Sequence, residues 1–401
     1  MKKVCMITQD APYIDRRILL QAKTLVEHGY DVTILYPFGE VNDDFIDCGI
    51  RYKTLNVVLN INNSFSFIKR AIRKILPQKF YVFLKKQYFE IADVDFIDYE
   101  NELKKTSIEE DYDVYVAHDL PALPVAHFAA KVKSAKLVYD AHEFFTGQIA
   151  LHGKRKVFFE RLEEDLIHDV DLMFTVNEDI ATLFYKKYRL KTDIKILLNS
   201  IEERQIEPIN LHQRLKLKDD IKIVLYQGGF LEDRNLEILV KSAKYFHEGI
   251  VLVMLGYSFL EKKLKNIAKQ DNTLDDKVIF MDRVPQQELL NYTAGADIGV
   301  IPYPAIDLNT KYCTPNKMFE FIASGIPMIA NDELITVQNI LNRYHIGYFV
   351  PFKDVEEIGE YINKILKDID IMENKENILK AQKKLSWKNQ EHILLEAYSK
   401  L

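Results

Sequence analysis

Short, almost continuous apolar runs alternate along this chain with longer stretches in which apolar residues recur every three or four positions. Lys3–Thr8, Asp31–Leu35, Val114–Ala117, Lys136–Tyr139, Leu172–Val176 and Ile194–Leu197 are runs of the first kind. They are too short for helices and have the pattern of strands buried on both faces. Arg16–His28, Ala122–Lys133, Lys156–His168 and Glu178–Tyr188 carry the helical stripe. In the first of these, Ile18, Leu19, Ala22, Leu25 and Val26 share a face, and Gly29 ends the helix. A second series of strands follows at Ile223–Tyr226, Val251–Leu255, Val278–Met281, Ile298–Ile301, Pro327–Ala330 and Tyr348–Val350. Helical patterns at Asn235–Phe246, Phe259–Lys269, Pro285–Ala294 and Lys317–Ser324 separate them, and Val355–Leu401 reads as helical. Strict alternation of strand and helix predicts an α/β protein built from parallel, doubly wound sheets.

The chain has 401 residues, too many for one core, so two Rossmann-like domains are expected. We place them at residues 1–200 and 201–375, with a C-terminal helix over 376–401 crossing back to the first. The polar stretch Asn199–Lys218 is the expected boundary. A cleft would then lie between the carboxyl ends of the two sheets. Net charge is −6, which gives no sign of nucleic-acid binding. Cys5, Cys48 and Cys313 are far apart and imply neither a disulfide framework nor a zinc site. No apolar run is long enough to span a bilayer, and the N-terminal run is too short for a signal peptide. A cytoplasmic enzyme is the expectation. One segment departs from the acidic average: residues 64–90 interleave Lys69, Arg70, Arg73, Lys74, Lys79, Lys85 and Lys86 with aromatic and aliphatic residues. This pattern fits an anionic membrane surface, or a packed helix pair with a solvated basic face.

Candidate chemistry concentrates at strand ends and at one helix. Asn316 and Lys317 open the helix that follows Pro315, and Glu320 lies one turn on. Backbone N–H groups at a helix start attract anions, and a lysine adds a point charge for phosphate. A carboxylate one turn later could accept two ribose hydroxyls. A solvated helix with an incidental Lys/Glu pair is the alternative. Gly228 and Gly229 after Tyr226 would admit close backbone approach to a phosphate, or make a tight turn and nothing more. In the first domain His118, His142 and Glu143 follow strands, where ligands bind in doubly wound sheets. Glu143 could orient a hydroxyl or act as a base. Asp10 and Asp15, after the first strand, are further candidates. The dinucleotide fingerprint G-x-G-x-x-G is absent. Asp43-Asp44, Asp219-Asp220 and Asp275-Asp276 read as solvated turns, and no Asp-x-Asp lies in a loop suited to a metal.

Taken in order, these stretches resemble those of GT-B glycosyltransferases, specifically the retaining family 4-like enzymes known as glycosyl transferases group 1. The resemblance covers nearly the whole chain. It runs through Asp15-Arg16-Arg17, Gln21-Ala22-Lys23 and His28-Gly29-Tyr30-Asp31-Val32, then Val138-Tyr139-Asp140-Ala141-His142-Glu143. It continues through Tyr226-Gln227-Gly228-Gly229 with Arg234, Leu255-Gly256, Asp282-Arg283-Val284-Pro285, Ala296-Asp297, Ile301-Pro302 and Pro315-Asn316-Lys317 with Glu320. Many relatives carry a second glutamate where this chain has Tyr312, which points to a different sugar or loop path. The resemblance implies a GT-B fold and transfer of a sugar from a UDP- or GDP-type donor. Arg234 and Lys317 would take the charge of the leaving diphosphate without a metal or other cofactor. Gly228, Gly229, Gly256, Arg283, Val284, Asn316 and Glu320 would line the donor site. His118 would approach the donor sugar, Glu143 would stand at the reacting centre, and Asp10, Asp15 and His142 would face the acceptor. That acceptor would be a glycan or lipid-linked glycan in surface-polysaccharide assembly at the inner membrane face. An epimerase of sugar nucleotides and a catalytically silent partner module are the alternatives.

Overall fold

The computed structural model describes residues 1–9, 15–38, 48–55, 94–368 and 371–401. Asp10, Asp43, Asp44 and the basic segment 64–90 lie outside the described residues.

Two parallel sheets dominate. The first comprises β1 (Lys3–Ile7), β2 (Asp31–Tyr36), β3 (Arg51–Thr54), β4 (Val114–His118), β5 (Lys136–Ala141), β6 (Leu172–Thr175) and β7 (Ile194–Ile196). Its order is β3-β2-β1-β4-β5-β6-β7. The second comprises β8 (Lys222–Gln227), β9 (Ile250–Leu255), β10 (Val278–Met281), β11 (Ile298–Ile301), β12 (Met328–Asn331) and β13 (Gly347–Val350), ordered β10-β9-β8-β11-β12-β13. In each sheet the order of winding reverses once, between β1 and β4 and between β8 and β11, while every strand stays parallel. A crevice opens at the carboxyl ends of the strands at such a reversal, and ligands bind there.

Burial explains why the strands were visible as apolar runs. Val4 to Ile7, Val114 to Ala117 and all of Ile250–Leu255 are buried. Helices cover both faces, so two core clusters flank the first sheet and a third surrounds the second. Several elements differ from the pattern reading. The helix expected over Pro285–Ala294 shrinks to Leu289–Thr293, because Glu288 N–H bonds back to Pro285 C=O at 3.0 Å in a turn. Strand β3 and the helices Val94–Ser107, Leu308–Lys311 and Ile335–Tyr344 were not expected. The last opens on Ile335, Thr336 and Val337, poor helix formers by propensity, and is held by burying Val337 and Leu341.

The C-terminal residues join the two domains. The helix Ile371–Leu385 gives Ile378, Ala381 and Leu385 to the second core. Trp387, Leu394, Ala397 and Tyr398 belong to the first. The crossing thus falls at Ser386–Trp387, later than the expected residue 376. Trp387 Nε1 donates to Thr24 Oγ1 at 2.9 Å, and Tyr398 stacks on Phe174 with ring centroids 6.3 Å apart. Residues 199–218 are not all linker either, since Leu211, in the short helix Leu211–Leu215, is part of the second core.

Candidate active site

A cavity of about 660 Å³ lies between the domains, with His142, Glu143, Gly228, Arg234, Asn316, Lys317 and Glu320 in its walls. Both sheets meet it at their carboxyl ends. The helix Asn316–Ala323 starts at its floor, with Pro315 in the extended N-cap position. Met318, Phe319, Phe321 and Ile322 anchor that helix in the second core.

Lys317 is the unusual group. It is only 7% exposed, and its Nζ has no hydrogen-bond partner. Nζ lies 3.8 Å from the ring centroid of Tyr226 and 4.7 Å from that of Tyr303. Arg234 stands beside it, its Cζ 4.2 Å from the Tyr303 centroid. Burial, reinforced by the Arg234 charge, holds the Lys317 pKa well below its ordinary value. The carboxyl of Glu320 is pushed up by burial and accepts from Gln227 Nε2 at 2.5 Å. Among the described residues Lys317 Nζ has no ion-pair partner and Arg234 meets only Asp233, at 3.6 Å, so this end of the cavity is suited to an anion, which would favour the charged form of Lys317. Gly228 (φ +116°) sits against Lys317: a Cβ there would lie 3.5 Å from Nζ. At Gly256 (φ +154°) a Cβ would meet Gly228 O at 2.0 Å, so both glycines are required by the turn.

The opposite wall is a buried charge network. Arg17, in the helix Arg16–Glu27, points its guanidinium at Asp140 near the end of β5: Nη2 lies 2.6 Å from Oδ1, and Nε 3.0 Å from Oδ2. Gln21 Nε2 donates to the same carboxylate at 2.6 Å. His142 Nε2 lies 3.1 Å from Asp140 Oδ2, and its Nδ1 lies 2.7 Å from Asp15 Oδ2. Burial alone would lower the His142 pKa, but Asp119, Asp15 and Asp140 raise it well above the ordinary value. Asp15 is lowered to about 2 because His142 outweighs its burial. Asp119, at a positive φ of 63° after β4, is raised to about 7 by burial. His118 lies behind His142, its Nδ1 3.2 Å from both His142 Nε2 and Asp140 Oδ2, and burial lowers its pKa. Its buried Nε2 has no partner. His118, Asp140 and His142 are close enough to suggest a metal triad. In this structure the Asp140 carboxylate already accepts from the Arg17 guanidinium and from Gln21, so the cluster is part of an ion-pair network.

Glu143 connects the two walls. Its Oε2 accepts from Asn309 Nδ2 at 3.0 Å, and its other oxygen accepts from Gln148. Asn309 Oδ1 also accepts from Phe144 N–H at 2.9 Å, and Asp307 Oδ2 from Ile149 N–H at 2.7 Å. Burial raises the Glu143 carboxyl pKa against the pull of those hydrogen bonds.

Not all sequence candidates reach the cavity. Gly229, Gly256, Arg283, Val284, His118 and Asp15 are absent from its walls. Arg283 stacks on Tyr257 at 5.1 Å, and Gly229 C=O accepts from Tyr226 Oη at 2.9 Å. Tyr312 packs against the first core, and its C=O accepts from Asn177 Nδ2 at 3.0 Å. Sequence reasoning missed Arg17, Asp140, Tyr226, Tyr303 and Asn309 as site residues. An aspartate inside the apolar strand Val138-Tyr139-Asp140-Ala141, and an arginine on a helix face that is otherwise buried, were the available signals.

Residues 209–385 match the family model "Glycosyl transferases group 1". The chain thus carries a group 1 glycosyltransferase domain in its second half. No curated protein matches it. Among solved structures, a sucrose-phosphate synthase from Thermosynechococcus elongatus is similar over 100% of this glycosyltransferase and 99% of that chain, with TM-score 0.74 and 16% identity. Anabaena Alr3699/HepE, solved with UDP and glucose, is similar over all of both chains, with TM-score 0.72 and 14% identity. The lipopolysaccharide outer core galactosyltransferase WaaB in apo form also covers all of both chains, with TM-score 0.61 and 13% identity. These likenesses establish the GT-B fold. As an enzyme the chain is a transferase of the EC 2.4 type. Among the described residues no helix is long and apolar enough to cross a membrane.

Proposed function

We propose that this glycosyltransferase moves a sugar, with retention of anomeric configuration, from a UDP- or GDP-type sugar to a glycan or lipid-linked glycan. The observation that carries the reading is the buried, unpartnered Lys317 ammonium beside Arg234. A diphosphate is the ligand that supplies two or more anionic oxygens to two adjacent cations and to backbone N–H groups at a helix start. Anabaena HepE is also known with UDP and with UDP-glucose.

In this reading Arg234 and Lys317 stabilise the charge that grows on the leaving phosphate as the anomeric bond breaks. These cations fill the role a metal would take, so the reaction needs none. Glu320 receives the ribose hydroxyls. The acceptor oxygen bonds to the anomeric carbon on the face the phosphate leaves, and its proton passes to a phosphate oxygen. Glu143, in the cavity wall opposite, orients the acceptor hydroxyl. His142 supports that wall as a fixed cation. Surface-polysaccharide assembly at the inner face of the plasma membrane is the setting, with segment 64–90 as the contact to anionic lipid.

A thermal-shift screen of nucleotide sugars, followed by transfer assays on the hits, tests this. A bound nucleotide raises the melting temperature because it prefers the folded state. Failure of every UDP and GDP sugar to do so would defeat the donor assignment. Isomerisation of the free donor without transfer would favour an epimerase. Liposome flotation before and after neutralising Lys69, Arg70, Arg73 and Lys74 tests the membrane contact, which unchanged binding would exclude.

A further inference from the structure

The two cations of the cleft sit side by side with no anion between them. Lys317 Nζ has no hydrogen-bond partner, and Arg234 reaches its nearest carboxylate, Asp233, at 3.6 Å. What they share is a ring. Tyr303 lies 4.2 Å from the Arg234 Cζ and 4.7 Å from Lys317 Nζ, measured to its centroid. Its place explains this: it follows β11 by two residues, on the reversal of strand order beside Gly228, and it lines the cavity while 7% exposed. A π face attracts each cation without consuming its N–H donors, so the donors stay available for a ligand. The hydroxyl end has a separate task. Tyr303 shares a hydrogen bond with Tyr226, whose own hydroxyl donates to Gly229 C=O at 2.9 Å. Ring and hydroxyl thus act on different parts of the site.

We infer that Tyr303 is a positioning residue for the donor's diphosphate: its ring holds Arg234 and Lys317 together, aimed at one anion, and its hydroxyl steadies the Gly228–Gly229 turn. The inference rests on the donor reading above. It predicts that the ring, not the hydroxyl, governs affinity, and only for ligands that carry the diphosphate.

The test compares Tyr303→Leu and Tyr303→Phe with the unaltered enzyme, using UDP and uridine as probes and GDP and guanosine in parallel. Calorimetric titration reads the diphosphates, and ligand-observed NMR reads the nucleosides. Tyr303→Leu should bind the diphosphate about tenfold more weakly while nucleoside binding is unchanged. Tyr303→Phe should stay within about threefold of the unaltered enzyme for both, since the cation seat survives. Equal UDP affinity in Tyr303→Leu and the unaltered enzyme would overturn the inference. So would a Phe variant as weak as the Leu variant, or a parallel loss of nucleoside binding, which would mark a collapsed site. If the unaltered enzyme binds neither UDP nor GDP, the donor reading itself fails, a result distinct from any of these.

Discussion

Replacing Lys317 with methionine should stabilise the free protein and abolish tight donor binding. The groups facing Nζ are Arg234, Glu320 and the rings of Tyr226 and Tyr303. Arg234 repels it. Glu320 offers limited compensation, because its own carboxyl is raised by burial and bonded to Gln227. Methionine has a similar unbranched length and no charge. Exchanging a buried charge for an apolar side chain of similar volume stabilises by about 1–4 kcal/mol where the charge was poorly compensated. Losing two cation–π contacts returns roughly 1–2 kcal/mol. A net gain of about 1–2 kcal/mol raises the melting temperature by a few degrees in a protein of this size. The sign with pH follows from the depressed native pKa of Lys317. Its penalty is fully present at low pH and fades as pH climbs from the native value towards the unfolded value of about 10.4. The gain from methionine should therefore shrink in alkaline buffer. With UDP at about a hundredfold its Kd, the unaltered enzyme gains roughly 2.7 kcal/mol and the variant very little, so the two melting temperatures should exchange order. Differential scanning calorimetry with and without UDP decides it. A Lys317→Met variant that melts several degrees lower without ligand, and still responds fully to UDP, would refute the reasoning.

Asp140→Asn should cost about 3–5 kcal/mol in urea unfolding, because it strands the Arg17 guanidinium in the core; a loss under about 1 kcal/mol would contradict the network described. His142 is raised above its unfolded pKa, so its contribution is full below about pH 6.5 and is lost as pH rises through the native value. The stability difference between the native chain and His142→Gln should therefore narrow as pH rises, and a flat difference curve would count against a cationic His142. Asn309→Ala removes two bonds between the domains, worth roughly 1–3 kcal/mol together. Small-angle scattering should then report a larger radius of gyration, and an unchanged profile would show that Asn309 does not hold the cleft closed.

The sheet strands were legible because their burial on both faces wrote apolar runs into the chain, as Val251–Leu255 illustrates. The helix at Asn316 was equally plain, since Pro315, Lys317 and the Met318-Phe319, Phe321-Ile322 stripe all agree. The helix Ile335–Tyr344 was not, because tertiary packing there overrides the β-branched residues that open it. In the site, local spacing picked out Lys317 and Glu320, and the family resemblance added Arg234; all three lie in one domain. Spacing could not find Tyr303 or Asn309, whose parts depend on partners distant in sequence: Glu143 lies 166 residues from Asn309. Nor could it sort His118 from His142. Both stand at the ends of apolar runs, and only the positions of Asp15, Asp119 and Asp140 raise the pKa of one while burial depresses that of the other.

The return of the chain to its first domain also bears on how the protein is made. Trp387, Leu394 and Tyr398 complete a core whose other members begin at Val4. During synthesis the second domain can close around its own sheet while the first still lacks the side chains that cap Phe174 and Tyr30. The usual order of vectorial folding is thereby reversed at this surface. The first domain to leave the ribosome is the last to be finished, and it waits for residues translated nearly four hundred codons after its first strand.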